Sequence, residues 1–171
     1  MKKINIRVVM LSFFIIAAFI VSACYKSKVP ITSAVVPIDS RIIGTWYSSK
    51  YKRWRGKSTY YVISKLTVKK YKIGIYNWNY SKKKYKKPEI YHAHLSIVKG
   101  QKFLNMKKTT GYDKSYGINR LKVHSTKHIE IEPLSGNIKE QFRSSRKLKA
   151  FVKKYMHLSF FYEKSTRKLY K

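Results

Sequence analysis

Acidic side chains are scarce in this sequence. Asp and Glu together number 7 against 39 Lys and Arg, leaving a formal net charge of +32 on 171 residues. A codon preference for lysine would add bases but would not remove acids, so the imbalance has physical weight. A surface of this kind attracts phosphate-rich lipids and polymers. The acids are also scattered. Only Glu130 and Glu132, on the polar face of one segment, resemble a carboxylate pair, and acid–base work demands a geometry that spacing alone does not supply. Cysteine occurs once, at Cys24, which excludes an internal disulfide framework and a Cys-based zinc site. The 4 prolines and 7 glycines compose no phosphate-cradling loop, and no serine sits in a nucleophile elbow. These absences argue against an enzyme and against a resident cofactor.

What is present suffices for a core. Hydrophobic residues make up 44% of the chain, and 15 tyrosines lead a high aromatic share, so global disorder is excluded. The length suits one domain. At the N-terminus, Lys2, Lys3 and Arg7 precede an apolar run from Val8 to Val21, broken only by Ser12. That run is shorter than the ~18 residues of a spanning helix. A charged start, a short apolar stretch and small residues together describe a secretory signal peptide over residues 1–23.

The stretch Val21-Ser22-Ala23-Cys24 resembles the lipobox of bacterial lipoproteins. The resemblance implies cleavage between Ala23 and Cys24, diacylglycerol on the Cys24 sulfur and acylation, by palmitate or a similar chain, of the new amine. It therefore implies a membrane partner and a place in the cell envelope. Tyr25 stands where an aspartate would resemble an inner-membrane retention signal, which favours the outer membrane where the cell has one. Removal of Lys2, Lys3 and Arg7 would leave a charge of +29 on the remaining chain.

Residues 24–40 hold Pro30 and Pro37 and no persistent period, so they read as the lipidated N-terminus and a tether. The domain is expected over 41–171. Strict alternation predicts half-buried strands at 42–48, 59–68, 71–78, 89–98, 101–106, 116–125 and 127–133. In the fourth, Tyr91, Ala93, Leu95 and Ile97 share one face, while His92, His94 and Ser96 share the other. Lys99-Gly100 is a tight-turn signal. Leu148, Phe151, Val152, Tyr155 and Met156 then fall at helical spacing, predicting an amphipathic helix over about 144–156 with Ser144 or Ser145 as its cap. A shorter helix over 136–142 and a final strand over 157–162 complete the reading. The expected fold is mainly β with a C-terminal helix: an antiparallel meander curled into a small barrel, with complete and incomplete closure both left open.

Ile43-Gly44-Thr45-Trp46 is similar to the Gly-x-Trp motif that opens lipocalin-type barrels. In that family the Trp, here Trp46 after Gly44, plugs the closed end, a helix precedes the last strand, and an arginine of that strand packs over the Trp. Here about seven strands precede the helix rather than eight, and Arg167 lies beyond the expected last strand. The resemblance covers residues 41–171 and implies a calycin-type domain that either carries a small apolar ligand or is filled by its own side chains.

Two clusters invite chemistry. His92 and His94 are two apart on a strand, so both point one way and offer two metal ligands. A third would have to come from Glu89, His124 or His128, brought close by strand pairing, and solvent-facing histidines with no metal are the commoner outcome. Tyr76, Trp78 and Tyr80 alternate with Asn77 and Asn79 before Lys82, Lys83, Lys84, Lys86 and Lys87. Aromatics beside lysines suit nucleic acid, but export favours an anionic lipid or envelope polymer, and packing followed by a solvated loop accounts for the same pattern. The functional expectation is a membrane-anchored, non-catalytic binding domain for an anionic or amphiphilic envelope component. A ligand-carrying barrel and a structural subunit that meets partners by strand edges are the rivals.

Overall fold

The computed structural model describes residues 24–171. Residues 1–23, where a signal peptide ending at Ala23 is expected, lie outside the described residues. Alternation along the chain becomes β2 (Gly44–Tyr47), β3 (Tyr60–Thr67), β4 (Lys70–Tyr76), β7 (Glu89–Val98), β8 (Gln101–Lys108), β9 (Tyr116–Ser125) and β10 (His128–Pro133), with α1 (Ser145–Tyr155) and β11 (Arg167–Tyr170) at the end. Three small additions are β1 (Lys26–Ser27) and a separate hairpin of β5 (Trp78–Asn79) and β6 (Lys84–Tyr85). Every pairing is antiparallel.

The large strands follow the order β9-β10-β11-β2-β3-β4-β7-β8, and β8 pairs back onto β9. The result is a closed, eight-stranded, meander-like barrel, not an incomplete one. Closure gives each of the eight barrel strands a neighbour on both sides, and the two-residue β1 is the edge strand of the main sheet among the described residues. The turn at Lys99-Gly100 is the sharpest local determinant of register. Both residues have positive φ, 47° and 77°, as a two-residue hairpin of the I′ type requires.

Inward residues fill the barrel. Trp46, Ile63, Tyr71, Ile73, Leu95, Leu104, Ile129 and Leu169 are all buried there, each aliphatic contributing about 1.5–3 kcal/mol of transfer free energy. A second apolar cluster lies outside the barrel wall. Phe103, Ile118 and Val98 face outward and are covered by Leu148 and Val152 of α1 and by Phe161 and Tyr162. The helix thus forms on the predicted stripe, with Lys149, Lys153 and Lys154 exposed. Ser144 holds the N-cap position but makes no side-chain capping bond.

Three expectations are corrected. The segment 157–162 is not the last strand. It holds a 3-10 turn at Ser159–Phe161 and one isolated bridge, Leu134 to Tyr162, because Phe161 and Tyr162 are drawn into the outer cluster beside α1. The eighth strand is β11, whose only buried residue is Leu169, too little apolar material to register as alternation. No helix forms over 136–142, where Ile138 and Phe142 instead lodge individually against the outer cluster.

The third correction concerns the expected tether. Tyr25, Ser27 and Ile31 are buried, and Lys26–Ser27 adds to β9. The Tyr25 amide donates to Leu134 O, the Ile31 amide to Asn105 Oδ1 at 2.8 Å, and the Ile38 amide to Val68 O. Residues 25–42 are therefore a strap running down the outside of the wall. It ends in a 3-10 turn, Ser40–Ile42, that puts fully buried Ile42 under the barrel. The backbone polar groups that a free tether would leave to water are paired here with the barrel.

Candidate functional site

The strand directions give the barrel two unlike ends. The base carries the short hairpin turns and the Ser40–Ile42 turn. The mouth carries the long connections, 48–59, 77–88 and 109–115, together with the chain entering at Cys24.

The base is closed from within. Trp46 is fully buried and donates its indole N–H to Ile42 O at 2.8 Å. Lys171 reaches across to lie 4.5 Å from the Trp46 ring and donates to Arg41 O and Ile43 O. The cation over this tryptophan is thus a lysine, while Arg167 sits on β11 near the mouth. Gly44 has φ +133°, a conformation that favours glycine, and a Cβ there would press on Lys171 Cε at 3.0 Å. Asp39 accepts from Arg41 and from Lys102, and the Arg41 guanidinium above all holds its carboxyl well below the usual range. Burial pushes the Tyr71 hydroxyl beside it up to about 12.

At the mouth, a recess of about 220 Å³ is lined by Cys24, Ile75, Tyr91, Met106, Asn119 and Arg167 among others. Ligand pockets commonly run to roughly 300–1,000 Å³, and below this recess the barrel is packed. Glu89 at the rim accepts from Tyr91 Oη at 2.8 Å and from Lys108 Nζ at 2.7 Å. The Lys108 bond holds the Glu89 carboxyl low, and burial, with Glu89 beside it, holds the Tyr91 hydroxyl above its ordinary value.

The lysine loop is built on aromatics. Tyr76 stacks on Tyr60 at 4.4 Å, Tyr85 meets Tyr60 edge-on, and Trp78 meets Tyr85 edge-on. Tyr85 Oη also donates to Gly56 O at 3.1 Å. These contacts fasten the β5–β6 hairpin to the 48–59 connection and present Lys82, Lys83, Lys84, Lys86 and Lys87 to solvent. None of the five has a carboxylate within ion-pair distance among the described residues. Tyr80 and Tyr112, both strongly exposed, stand on the same end. Cys24, half-buried, opens onto the mouth recess one residue before buried Tyr25.

His92 and His94 do share a face, but they do not form a ligand pair. His94 is buried beneath the strap with Nε2 2.7 Å from Thr32 O, whereas His92 is exposed. Glu89 faces the barrel interior, and His124 and His128 stand near the base on the far strands. Those two come together with Glu130 instead. Glu132, the other acid of β10, is tied to Arg120 and to Lys122, and Arg120 lies over the Tyr162 ring. Glu132 is therefore held in ion pairs, while Glu130 turns to the two histidines. No described helix is long and apolar enough to cross a membrane.

No protein-family model matches the chain, and neither a curated protein nor a solved structure matches it. The class that the fold defines is an eight-stranded antiparallel barrel with an outer helix, an arrangement consistent with a lipocalin-like fold.

Proposed function

We propose that this chain is an exported, membrane-anchored lipoprotein, carried by lipid on Cys24, whose barrel mouth binds anionic head groups or a comparable envelope polymer. One observation carries the reading. The five unpaired lysines of the 77–88 connection stand at the same end of the barrel as Cys24. A lipid on that sulfur would hold the mouth at the bilayer, because the strap leaves no slack between Cys24 and buried Tyr25. Each lysine near an anionic surface is worth about 1 kcal/mol, and the exposed tyrosines suit the head-group layer.

Carriage of a ligand inside the barrel is less well supported, since Trp46, Tyr71, Ile73, Leu95 and Leu104 fill the interior below the mouth recess. A subunit that assembles by strand edges loses its motivating feature once the sheet closes on itself.

The test uses unacylated protein, residues 24–171, with vesicles of phosphatidylcholine alone or with a third anionic lipid at low salt. Binding to the anionic vesicles only, weakened by salt and by replacing Lys82, Lys83, Lys84, Lys86 and Lys87 with Gln, supports the proposal. Indifference to anionic vesicles and to wall polymers would remove the charge half of it.

A further inference from the structure

At the base of the outer wall, away from the mouth, the β9–β10 hairpin carries a cluster unrelated to the membrane reading. His128 pairs with Ser125 and Ile129 with Val123, so His124 is the extra residue of a β-bulge. Bulges re-aim side chains. Here the bulge turns His124 onto the outer face beside His128, the two rings stacking at 4.6 Å, with Tyr170 stacked on the far side of His128 at 4.8 Å. Glu130, the next outward residue of β10, points at both: Oε2 lies 3.3 Å from His124 Nε2 and Oε1 lies 3.9 Å from His128 Nε2.

The donor atoms of the three side chains lie within 4.8 Å of one another. Ligand atoms around a tetrahedral zinc ion are about 3.3 Å apart, given bonds near 2.0–2.1 Å. One pair, His124 Nε2 and Glu130 Oε2, already has that spacing, and His124, whose side chain is exposed, has to swing out of its stack on His128 for both ring lone pairs to converge on one ion. A second, independent observation points the same way. His128 Nε2 is buried and has no hydrogen-bond partner, a costly arrangement for a ring nitrogen unless something else occupies its lone pair.

We propose that His124, His128 and Glu130 form a binding site for a divalent transition-metal ion of the zinc class. Two imidazoles and one carboxylate suit Zn²⁺, Cu²⁺ or Ni²⁺, whereas a single oxygen ligand is too few for Ca²⁺ or Mg²⁺. The exposure of His124 leaves a fourth position to water. Lys122 and Lys168 each approach Glu130 only to 4.0 Å. Lys122 keeps its close partner in Glu132 at 2.7 Å, and Lys168 is largely exposed, so its ammonium group is able to turn to water as the dication enters. The bound ion fastens the bulged turn of the hairpin.

The test is zinc titration of the full chain, purified in detergent without an affinity tag, followed by calorimetry and by the visible spectrum of the Co²⁺ form. The expected result is one ion per chain, with a thermal midpoint raised by Zn²⁺ and affinity reduced at least about tenfold in His128→Ala and in Glu130→Gln. His124→Ala, the most exposed of the three, gives the same loss without disturbing the Tyr170 stack, and His92→Ala leaves binding intact. No binding by the unaltered chain, or affinity as high in the His124→Ala and Glu130→Gln proteins as in the unaltered chain, would overturn the site.

Discussion

The ammonium group of Lys171 rests 4.5 Å from the centre of the buried Trp46 ring and hydrogen-bonds to the carbonyls of Arg41 and Ile43. It joins the last residue described to the turn that closes the base. The seam there needs it, because β11 and β2 share a single register pair, Tyr170 with Tyr47. Lys171→Met keeps the aliphatic stem and removes the charge. It should cost about 1 kcal/mol, lowering the thermal midpoint by roughly 2–4 °C in a domain of this size. Calorimetry of the variant checks this.

Asn105 holds the strap to the wall. Its side chain is fully buried, accepts from the Ile31 amide at 2.8 Å and donates to Ser96 Oγ at 2.9 Å and His94 O. Asn105→Ala leaves a buried amide without an acceptor, at a cost of about 1–3 kcal/mol. The loss should be local first. Hydrogen exchange at Ile31 should accelerate more than exchange at Leu104 inside the barrel.

The same strap makes stability sensitive to mild acid. Burial pushes the His94 imidazole below its ordinary value, against the opposing pull of Thr32 O. The folded state therefore binds a proton later than the unfolded chain, and the sign is fixed. The contribution is complete above about pH 6.5 and is lost as pH falls through the folded value. Urea midpoints should decline from pH 7 toward 5, and His94→Gln should flatten that decline.

A second acid-dependent loss belongs to Asp39 at the base. Bonds from Arg41 first, and from Lys102, hold its carboxyl down despite burial. Stability from this group is present above about pH 3.9 and disappears as pH falls toward the lower folded value. Asp39→Asn should be less stable at neutral pH and less sensitive below pH 4, measured by the same titration.

The strands were legible because their inward residues alternate without interruption. Tyr91, Ala93 and Leu95, or Ile129 and Ile131, announce a half-buried wall whatever encloses it. The helix was legible for the same reason at a different period. Closure was not, because β11 offers only Leu169 as a signal and meets β2 at one pair of residues. The strap was hidden by its own chemistry. Its prolines and hydroxyl residues look solvent-bound, and its partners, Asn105, Ser96 and His94, lie more than 60 residues away. For the candidate sites, spacing identified the His92 and His94 face correctly. It could not say that Thr32 would cover one of them, or that a bulge would bring His124 to His128.

The account rests on Cys24 carrying lipid beside the barrel mouth, and metabolic labelling tests that most directly. Cells expressing the chain are given radiolabelled palmitate, and the unaltered protein is compared with Cys24→Ser after membrane fractionation. The expected result is label and tight membrane association in the first and neither in the second, with any residual binding of the variant released by salt. Retention of both label and salt-resistant membrane association by Cys24→Ser would contradict the account.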